Sequence, residues 1–345
     1  MGRDSTHAGG VARPAPAAGY RFRTLALRRH GRIEHTQVMA QFEPPVLVQR
    51  RAMAMGPAGD AWLKGLDATV TRVAAAWDLS LGRVLHGGSG AFVAEVVMPG
   101  GIQAVLKIAV PDPDLNSIEA DVLRAAEGRG YARLYRHDAA ERAMVVERLG
   151  QPLWQQDWPG DRQLPMYCAA IQEAWKVRFE PKGLMDGAGK AAWLEEFIPR
   201  TWDALGRPCG EKTVALALDF AARRRVAFEP SRAVICHGDA HPGNLLAPLQ
   251  AGGTFKFIDP EVGFLEPEYD LACWLRGWRP EHSGQDMGTL ARQEAARLAA
   301  LTGTDAQAIW EWGFVERVSS GLLLTQLGHE EGPVYLSIAD ELAAA

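Results

Sequence analysis

The spacing of apolar residues changes along the chain from a strand-like to a helix-like pattern. Between residues 80 and 150, the apolar runs Phe92 to Met98, Ala104 to Val110 and Ala143 to Glu147 are short and bounded by polar residues or turns. These runs predict strands, and Gly100-Gly101 predicts a tight hairpin turn between the first two. A periodic apolar pattern before them predicts a helix from Asp60 to Trp77.

Beyond Gly150 the apolar residues recur at helical spacing, as in the stretches 164–175 and 309–322. A strand-rich half followed by a helix-rich half predicts an α+β protein of two lobes with a cleft between them. We assign residues 41–149 to an N-lobe and residues 150–345 to a C-lobe. Residues 1–40, interrupted by Gly and Pro, are expected to be a disordered or non-native N-terminal extension, with Met39 as an alternative start.

The amino-acid composition limits the kinds of binding partner that the protein is expected to have. The 345 residues are 47% hydrophobic, which suits a sizeable core, and no apolar run reaches the roughly 18 residues of a membrane helix, so no membrane partner is expected. The formal net charge is −5, and nine of the arginines lie in residues 1–51, so the remainder is acidic. An acidic body disfavours nucleic acid as a partner and suits a cationic substrate. Four cysteines without a C-x-x-C pair argue against zinc and disulfides and fit a cytoplasmic location.

The candidate chemistry lies in residues 234–261. One apolar run leads into a polar loop that contains Asp239 and, five positions later, Asn244, and a second apolar run ends on Asp259. Phosphoryl transfer needs a carboxylate to accept the proton of the attacking hydroxyl and oxygen ligands to hold Mg²⁺. Asp239 fits the first role, and Asn244 and Asp259 fit the second. The alternative is a pair of unrelated polar turns.

These residues resemble a known family. The segments His237-Gly-Asp-Ala-His-Pro-Gly-Asn244, Ile258-Asp259-Pro260-Glu261 and Glu266 to Ala272 are similar to those of aminoglycoside phosphotransferases, especially the streptomycin 6-kinase and hydroxyurea phosphotransferase branch. The resemblance covers about residues 60–335. It implies a two-lobed protein-kinase-like fold and transfer of the ATP γ-phosphoryl group, with Mg²⁺, to a hydroxyl of an aminoglycoside-like acceptor, as in antibiotic resistance. It also implies that Asp239 is the catalytic base, that His237 supports the loop and that Asp270 has a structural role at the start of the following helix.

Lys107 is the candidate for binding the phosphates of ATP. It is a single charge inside the apolar run Ala-Val-Leu-Lys-Ile-Ala-Val, where an ammonium is costly unless it is paired or bound to a ligand. The alternative is a lysine of an edge strand that reaches water. The resemblance implies that Glu119 is its ion-pair partner, although Glu119 also suits a capping box with Asn116 at the start of the following helix.

Two backbone segments complete the expected nucleotide site. The segment that ends at Glu147 and Leu149 is expected to join the lobes and to contact adenine through its backbone, with an ordinary strand end as the alternative. A glycine-rich turn between two strands suits the approach of phosphates, although a plain hairpin turn has the same composition. This turn consists of Gly87, Gly88, Ser89 and Gly90.

The acceptor stays open at this stage. A small molecule that is cationic or polyhydroxylated is expected, and Glu266 or Glu268 is a candidate to meet it, although such acids are more often solvated. Glu261 stands where the streptomycin branch is expected to have Lys or Val, which puts streptomycin itself in doubt. The alternatives are a kinase of hydroxyurea, a sugar or an amino alcohol, and a pseudokinase that binds nucleotide without turnover. The choice between ATP and GTP and the oligomeric state also stay open.

Overall fold

The computed structural model describes residues 42–86, 88, 90–112, 117–250, 252–278 and 286–345, so the predicted extension 1–40 lies outside the described residues. The helices within these ranges are α1 Val46–Ala54, α2 Pro57–Trp77, α3 Ser117–Ala126, α4 Gly160–Ala174, α5 Gly187–Ala204, α6 Glu211–Ala227, α7 Glu268–Gly277, α8 Met287–Thr302, α9 Ala306–Gln326 and α10 Glu331–Ala344. The strands are β1 Ser80–Val84, β2 Ala91–Met98, β3 Ile102–Ala109, β4 Leu134–Asp138, β5 Ala143–Glu147, β6 Val234–Cys236, β7 Leu245–Leu246, β8 Lys256–Phe257 and β9 Gly263–Leu265.

The first half of the chain forms an antiparallel sheet in the order β1-β2-β3-β5-β4. Strands β2 and β3 pair along their full length, and Gly100 and Gly101 close the turn between them with φ of +84° and +79°. Residues that carry a side chain rarely adopt these backbone angles, whereas glycine adopts them readily, which explains the two glycines. The predicted hairpin and the predicted strand from Ala143 to Glu147 are therefore confirmed. The structure adds β4, which the sequence did not predict because an edge strand carries few apolar residues.

The second half is helical and packs around α9. This helix is buried on nearly all sides from Ala308 to Ser319, whereas a surface helix buries only one face. Helices α5 to α8 and α10 pack against it. The architecture agrees with the predicted α+β order of a sheet followed by helices. None of the described helices is long and apolar enough to cross a membrane.

Two small strand pairs in the helical half bring the candidate loops together. Strand β6 pairs with β9, and β7 pairs with β8, all antiparallel. The loop 237–244 between β6 and β7 therefore lies beside the loop 258–262 between β8 and β9. The Ile258 N–H donates to the Asn244 carbonyl at 2.9 Å, and the Glu261 N–H donates to the His237 carbonyl at 2.8 Å. These bonds fix the spacing of the two loops at both ends.

Candidate active site

Asp270, a buried residue of α7, anchors the loop that carries Asp239. Its carboxylate accepts the backbone N–H groups of His237 and Gly238, each at 2.9 Å, and the indole N–H of Trp175 at 2.9 Å. Burial raises the pKa of Asp270, and the donors offset part of that cost. The sequence had suggested a structural role for Asp270 at the start of the following helix. Its contacts show that it holds the preceding loop.

His237 connects the two candidate loops. Its Nδ1 accepts the Asp239 N–H at 3.2 Å, so Nε2 carries the ring proton and donates to the Ile258 carbonyl at 2.9 Å. Tyr131 stacks on the ring, with centroids 5.8 Å apart and planes within 5°. Burial lowers the pKa of His237, which keeps the ring neutral. A neutral ring of one tautomer thus ties the Asp239 loop to the residue before Asp259.

Asp239 is paired with a cation from α7. Its Oδ1 accepts from Arg276 Nη2 at 2.5 Å, and its Oδ2 lies 3.4 Å from Asn244 Nδ2 and 3.5 Å from His241 Nε2. Burial opposes the charge of Asp239, but Arg276 and then His241 outweigh it and lower its pKa to about 2. Asp239 is therefore ionised at neutral pH, as a proton acceptor must be.

Arg276 is a residue of the candidate site that was not predicted from the sequence. It follows Asp270 by six positions and comes directly after the apolar helix segment Leu271 to Leu275. Its side chain is 16% exposed, and Asp239 raises its pKa against the effect of burial. A single charge next to an apolar run, the pattern that marks Lys107, marks Arg276 in the same way.

Lys107, on β3, lies between two carboxylates, one on α3 and one on the loop after β8. Its Nζ is 2.5 Å from Glu119 Oε1 and 2.5 Å from Asp259 Oδ1. Burial disfavours the ammonium, but Asp259 and Glu119 together outweigh burial and raise the pKa of Lys107. Glu119 lies in the first turn of α3 and points to Lys107, as expected, whereas its alternative capping partner Asn116 lies outside the described residues.

Asp259 combines a strained backbone with an accessible side chain. Its φ is +56°, a left-handed conformation that few non-glycine residues adopt. Its side chain is 46% exposed, although Lys107 holds one oxygen and lowers its pKa against burial. Unusual φ values of this kind often occur at functional sites. The structure thus presents Asp259 as a carboxylate that is paired on one side and open on the other.

Comparison with known proteins decides the family. The sequence model of the aminoglycoside/hydroxyurea antibiotic resistance kinases matches residues 76–328. The chain belongs to this family. A streptomycin 6-kinase of Streptomyces glaucescens is 27% identical over 281 residues, covering 81% of this chain and 89% of the relative. A hydroxyurea phosphotransferase of Kitasatospora aureofaciens is 30% identical over 281 residues, covering 78% and 79%.

The solved structures agree on the fold. An amicoumacin kinase solved with AMP-PNP and Ca²⁺ has a TM-score of 0.55 at 14% identity, covering 81% of this chain and 96% of that one. This likeness shows a shared fold and nothing finer. The predicted protein-kinase-like fold and the resemblance to aminoglycoside phosphotransferases are confirmed. Because the family is one of antibiotic resistance kinases, the predicted enzyme class is confirmed with it.

The expected adenine-binding segment of this kinase is only partly free to bind. The Glu147 N–H donates to the Arg133 carbonyl at 2.8 Å, so an adenine contact would use other backbone groups of this segment, and that contact stays a prediction. The Glu147 carboxylate accepts from the Arg133 N–H at 3.0 Å and from Lys256 Nζ at 2.6 Å. Leu149 is buried, with 9% exposed, and the next residue, Gly150, donates to the Ala247 carbonyl at 2.7 Å.

The glycine-rich turn of the kinase is described only in part. Gly87 and Ser89 lie outside the described residues. A Cβ added at Gly88 would meet nothing within 4 Å, so packing does not require glycine there. The Gly90 carbonyl accepts the Val110 N–H at 3.0 Å, which ties the turn to the end of β3. A phosphate role for this turn stays a prediction.

Glu266 and Glu268 are buried and already bonded to other residues, so neither is accessible to an acceptor. Glu266 Oε1 accepts the indole N–H of Trp312 at 2.5 Å. Glu268 Oε1 accepts the Asp305 N–H at 3.1 Å and lies 3.4 Å from Arg232. The two residues are 6% and 1% exposed. The suggestion that one of them contacts a cationic acceptor is therefore wrong, and both stabilise the packing of α7 against distant helices.

Proposed function

We propose that this kinase transfers the γ-phosphoryl group of ATP to a hydroxyl of an aminoglycoside-like acceptor. Residues 41–149 would supply the nucleotide-binding groups, and residues 150–345 would supply the catalytic loops and the acceptor pocket. The observation that carries the proposal is the ionised Asp239 beside Asn244, on a loop that adjoins Asp259 and its ion pair with Lys107. Because ATP is made available in the cytoplasm, we place the reaction there.

Asp239 would accept the proton of the acceptor hydroxyl. Its anchored loop fixes the carboxylate, and proximity with correct orientation is a large part of phosphoryl-transfer catalysis. Arg276 holds Oδ1, so Oδ2 is the oxygen for the hydroxyl. Arg276 also keeps Asp239 ionised, and it thereby acts through the base without contacting the acceptor.

The donor atoms on the two loops fit Mg²⁺. Asp259 offers a carboxylate that solvent reaches, and Asn244 uses its amide nitrogen on Asp239, which leaves the amide oxygen for a metal. Mg²⁺ takes few protein oxygens because it keeps waters and phosphate oxygens as its other ligands. When bound, Mg²⁺ would neutralise charge on the phosphates.

Lys107 would bind the phosphates of the nucleotide. Its ammonium adjoins Asp259, so a phosphate group at this point would meet both the lysine and the proposed metal ligand. Glu119 holds the lysine from the opposite side at 2.5 Å and fixes its direction. A fixed, buried ammonium is more effective than a flexible one because its charge is little screened by water.

The proposal is tested by a screen of acceptors with ATP and Mg²⁺. Aminoglycosides, amino alcohols and hydroxyurea are each added, ADP release is measured, and the phosphorylated product is identified by mass spectrometry. We expect acceptor-dependent ADP release with at least one aminoglycoside. ATP binding without ADP release for any acceptor would contradict the proposal and would favour the pseudokinase alternative.

A further inference from the structure

Trp154 differs from the other large aromatic residues because its side chain faces solvent. It is 60% exposed, whereas every other Trp, Tyr or Phe side chain that the structure describes is buried or half-buried. A single exposed apolar residue is common on a protein surface and needs no function. The position of this indole beside the loop that carries Asp239 is what makes it a candidate for binding.

The segment around Trp154 is tied to the chain that follows the Asp239 loop. The Ala247 N–H, directly after β7, donates to the Gln151 carbonyl at 2.9 Å. Leu153, the residue before Trp154, is fully buried in the core of the helical half. Trp154 therefore has a fixed place relative to the Asp239 loop, and a ligand that contacts it meets a side chain on an ordered backbone.

The indole lies against Gly243, next to the ring of His241. A Cβ built on Gly243 would lie 3.6 Å from Trp154 Nε1 and 2.6 Å from His241 Cε1, so a side chain at position 243 would displace the imidazole. His241 Nε2 is 3.5 Å from Asp239 Oδ2, and its side chain is 37% exposed. A row of groups thus runs from Asp239 across His241 and Gly243 to the exposed indole.

The Asp239 carboxylate directs the acceptor towards this row. Arg276 holds Oδ1 at 2.5 Å, so the proposed contact with the acceptor hydroxyl uses Oδ2, the oxygen that faces His241. An acceptor that extends from Oδ2 over His241 approaches Trp154. The face of a sugar ring presents C–H groups, and stacking of this face on an indole removes apolar surface of both from water.

We propose that Trp154 stacks on a sugar ring of the acceptor and determines specificity in the proposed reaction. This inference rests on the proposed function and deepens it. It identifies the acceptors as glycosides that are large enough to extend from Asp239 across His241 to the indole. Hydroxyurea is too small to make both contacts, so Trp154 discriminates against it.

The first test follows the indole itself. The full chain is labelled with fluorotryptophan, and the fluorine NMR signal of Trp154 is identified as the one missing from Trp154→Phe. We expect this signal to shift when the aminoglycoside that binds best is added in the presence of a non-hydrolysable ATP analogue, and to shift much less with the analogue alone. A full shift with the analogue alone, or no shift at saturating aminoglycoside, would overturn the inference.

The second test measures aminoglycoside binding by calorimetry. Trp154→Ala should raise the dissociation constant for that aminoglycoside roughly tenfold, the usual cost when an aromatic anchor is truncated. Trp154→Phe, which keeps a smaller ring, should recover part of the loss. Val226→Ala, which removes exposed apolar surface at the end of α6, should bind like wild type. Because both sites are exposed, all three variants should keep the thermal midpoint of wild type.

Steady-state kinetics supply a third readout. In Trp154→Ala, KM for the aminoglycoside should rise while kcat and KM for ATP stay within about twofold of wild type, because the stack is made equally in the bound and transition states. Aminoglycoside binding by Trp154→Ala within about twofold of wild type would overturn the inference, as would failure of the wild type to bind any aminoglycoside. Failure of the proposed function gives a different result: the wild type binds and its Trp154 signal shifts, but no acceptor causes ADP release.

Discussion

Two sets of ion pairs in this protein both join acidic to basic side chains but differ in the exposure of their carboxylates. In the cleft set, Asp239 pairs with Arg276, and Lys107 pairs with Asp259. In the interior set, Arg224 Nε lies 2.6 Å from Glu311. The carboxylates of the interior set, which also include Glu266 and Glu268, are 8% exposed or less, whereas the side chains of Asp239 and Asp259 are 22% and 46% exposed.

The difference in exposure indicates that the two sets of ion pairs have different roles. A buried ion pair adds little net stability, but removal of one partner leaves an uncompensated charge and destabilises strongly. The interior carboxylates are enclosed, so their contribution is to fix the packing of helices. The cleft carboxylates keep one side open to solvent, where a hydroxyl, a phosphate or a metal reaches them. Changes in the cleft set should therefore affect turnover, and changes in the interior set should affect stability.

The largest effect is expected for Asp239→Asn. Loss of the proton acceptor should lower kcat on the order of 10³-fold, the usual contribution of a general base. ATP affinity should stay close to wild type, because Asp239 is not placed on the nucleotide. ADP release with the best acceptor and a separate nucleotide titration measure the two quantities. A kcat within tenfold of wild type would remove Asp239 from the chemistry.

A smaller effect, on stability and not on turnover, is expected for Glu311→Ala. Arg224 would keep its charge without its 2.6 Å partner, and the free energy of unfolding should fall by about 3 kcal/mol. Denaturant unfolding measures this change. The kcat of the folded fraction should stay within about twofold of wild type, since Glu311 does not touch the cleft loops. If the variant instead kept its stability and lost turnover, the distinction between the two sets would be wrong.

The smallest effect concerns the pH dependence of stability. The pKa of Asp239 is lowered from 3.8 to about 2 in the folded protein, so its contribution is fully present above pH 3.8 and is lost as the pH falls towards 2. A shift of this size corresponds to about 2 kcal/mol. The substitution Arg276→Met removes this cation, so the pKa of Asp239 should rise. The free energy of unfolding should then fall less between pH 4 and pH 2 in the variant than in wild type. Unfolding free energies measured between pH 2 and 5 would show this, and an unchanged pH dependence would argue against the pairing.

The sequence predicted elements whose signal is local. The hairpin turn, the strand from Ala143 to Glu147 and the helix that ends at Trp77 follow from spacing and turn residues, and the structure contains all three. Helix α1 was missed because it is short and leaves Val46 and Leu47 61% and 52% exposed, so no single apolar face marks it.

The candidate site was predictable in part for the same reason. Asp239, Asn244 and Asp259 are marked by their spacing and by the apolar runs that precede them. The residues that pair with these groups are not marked in this way, because Arg276 reaches Asp239 from another helix. The enclosure of Glu266 is also not marked, because its partners lie on α6 and α9. Contacts between residues far apart in the sequence determine which acidic side chain is buried and which is exposed. The local sequence pattern does not show these contacts.

The measurement that tests the central claim most directly is the Mg²⁺ dependence of nucleotide binding. ATP affinity is titrated by calorimetry with and without Mg²⁺, in wild type and in Asp259→Asn. If Asp259 and Asn244 hold the metal beside Lys107, wild type should bind ATP more tightly when Mg²⁺ is present, and the variant should lose most of that gain. An equal Mg²⁺ effect in both proteins would contradict a phosphotransfer centre built on these two loops.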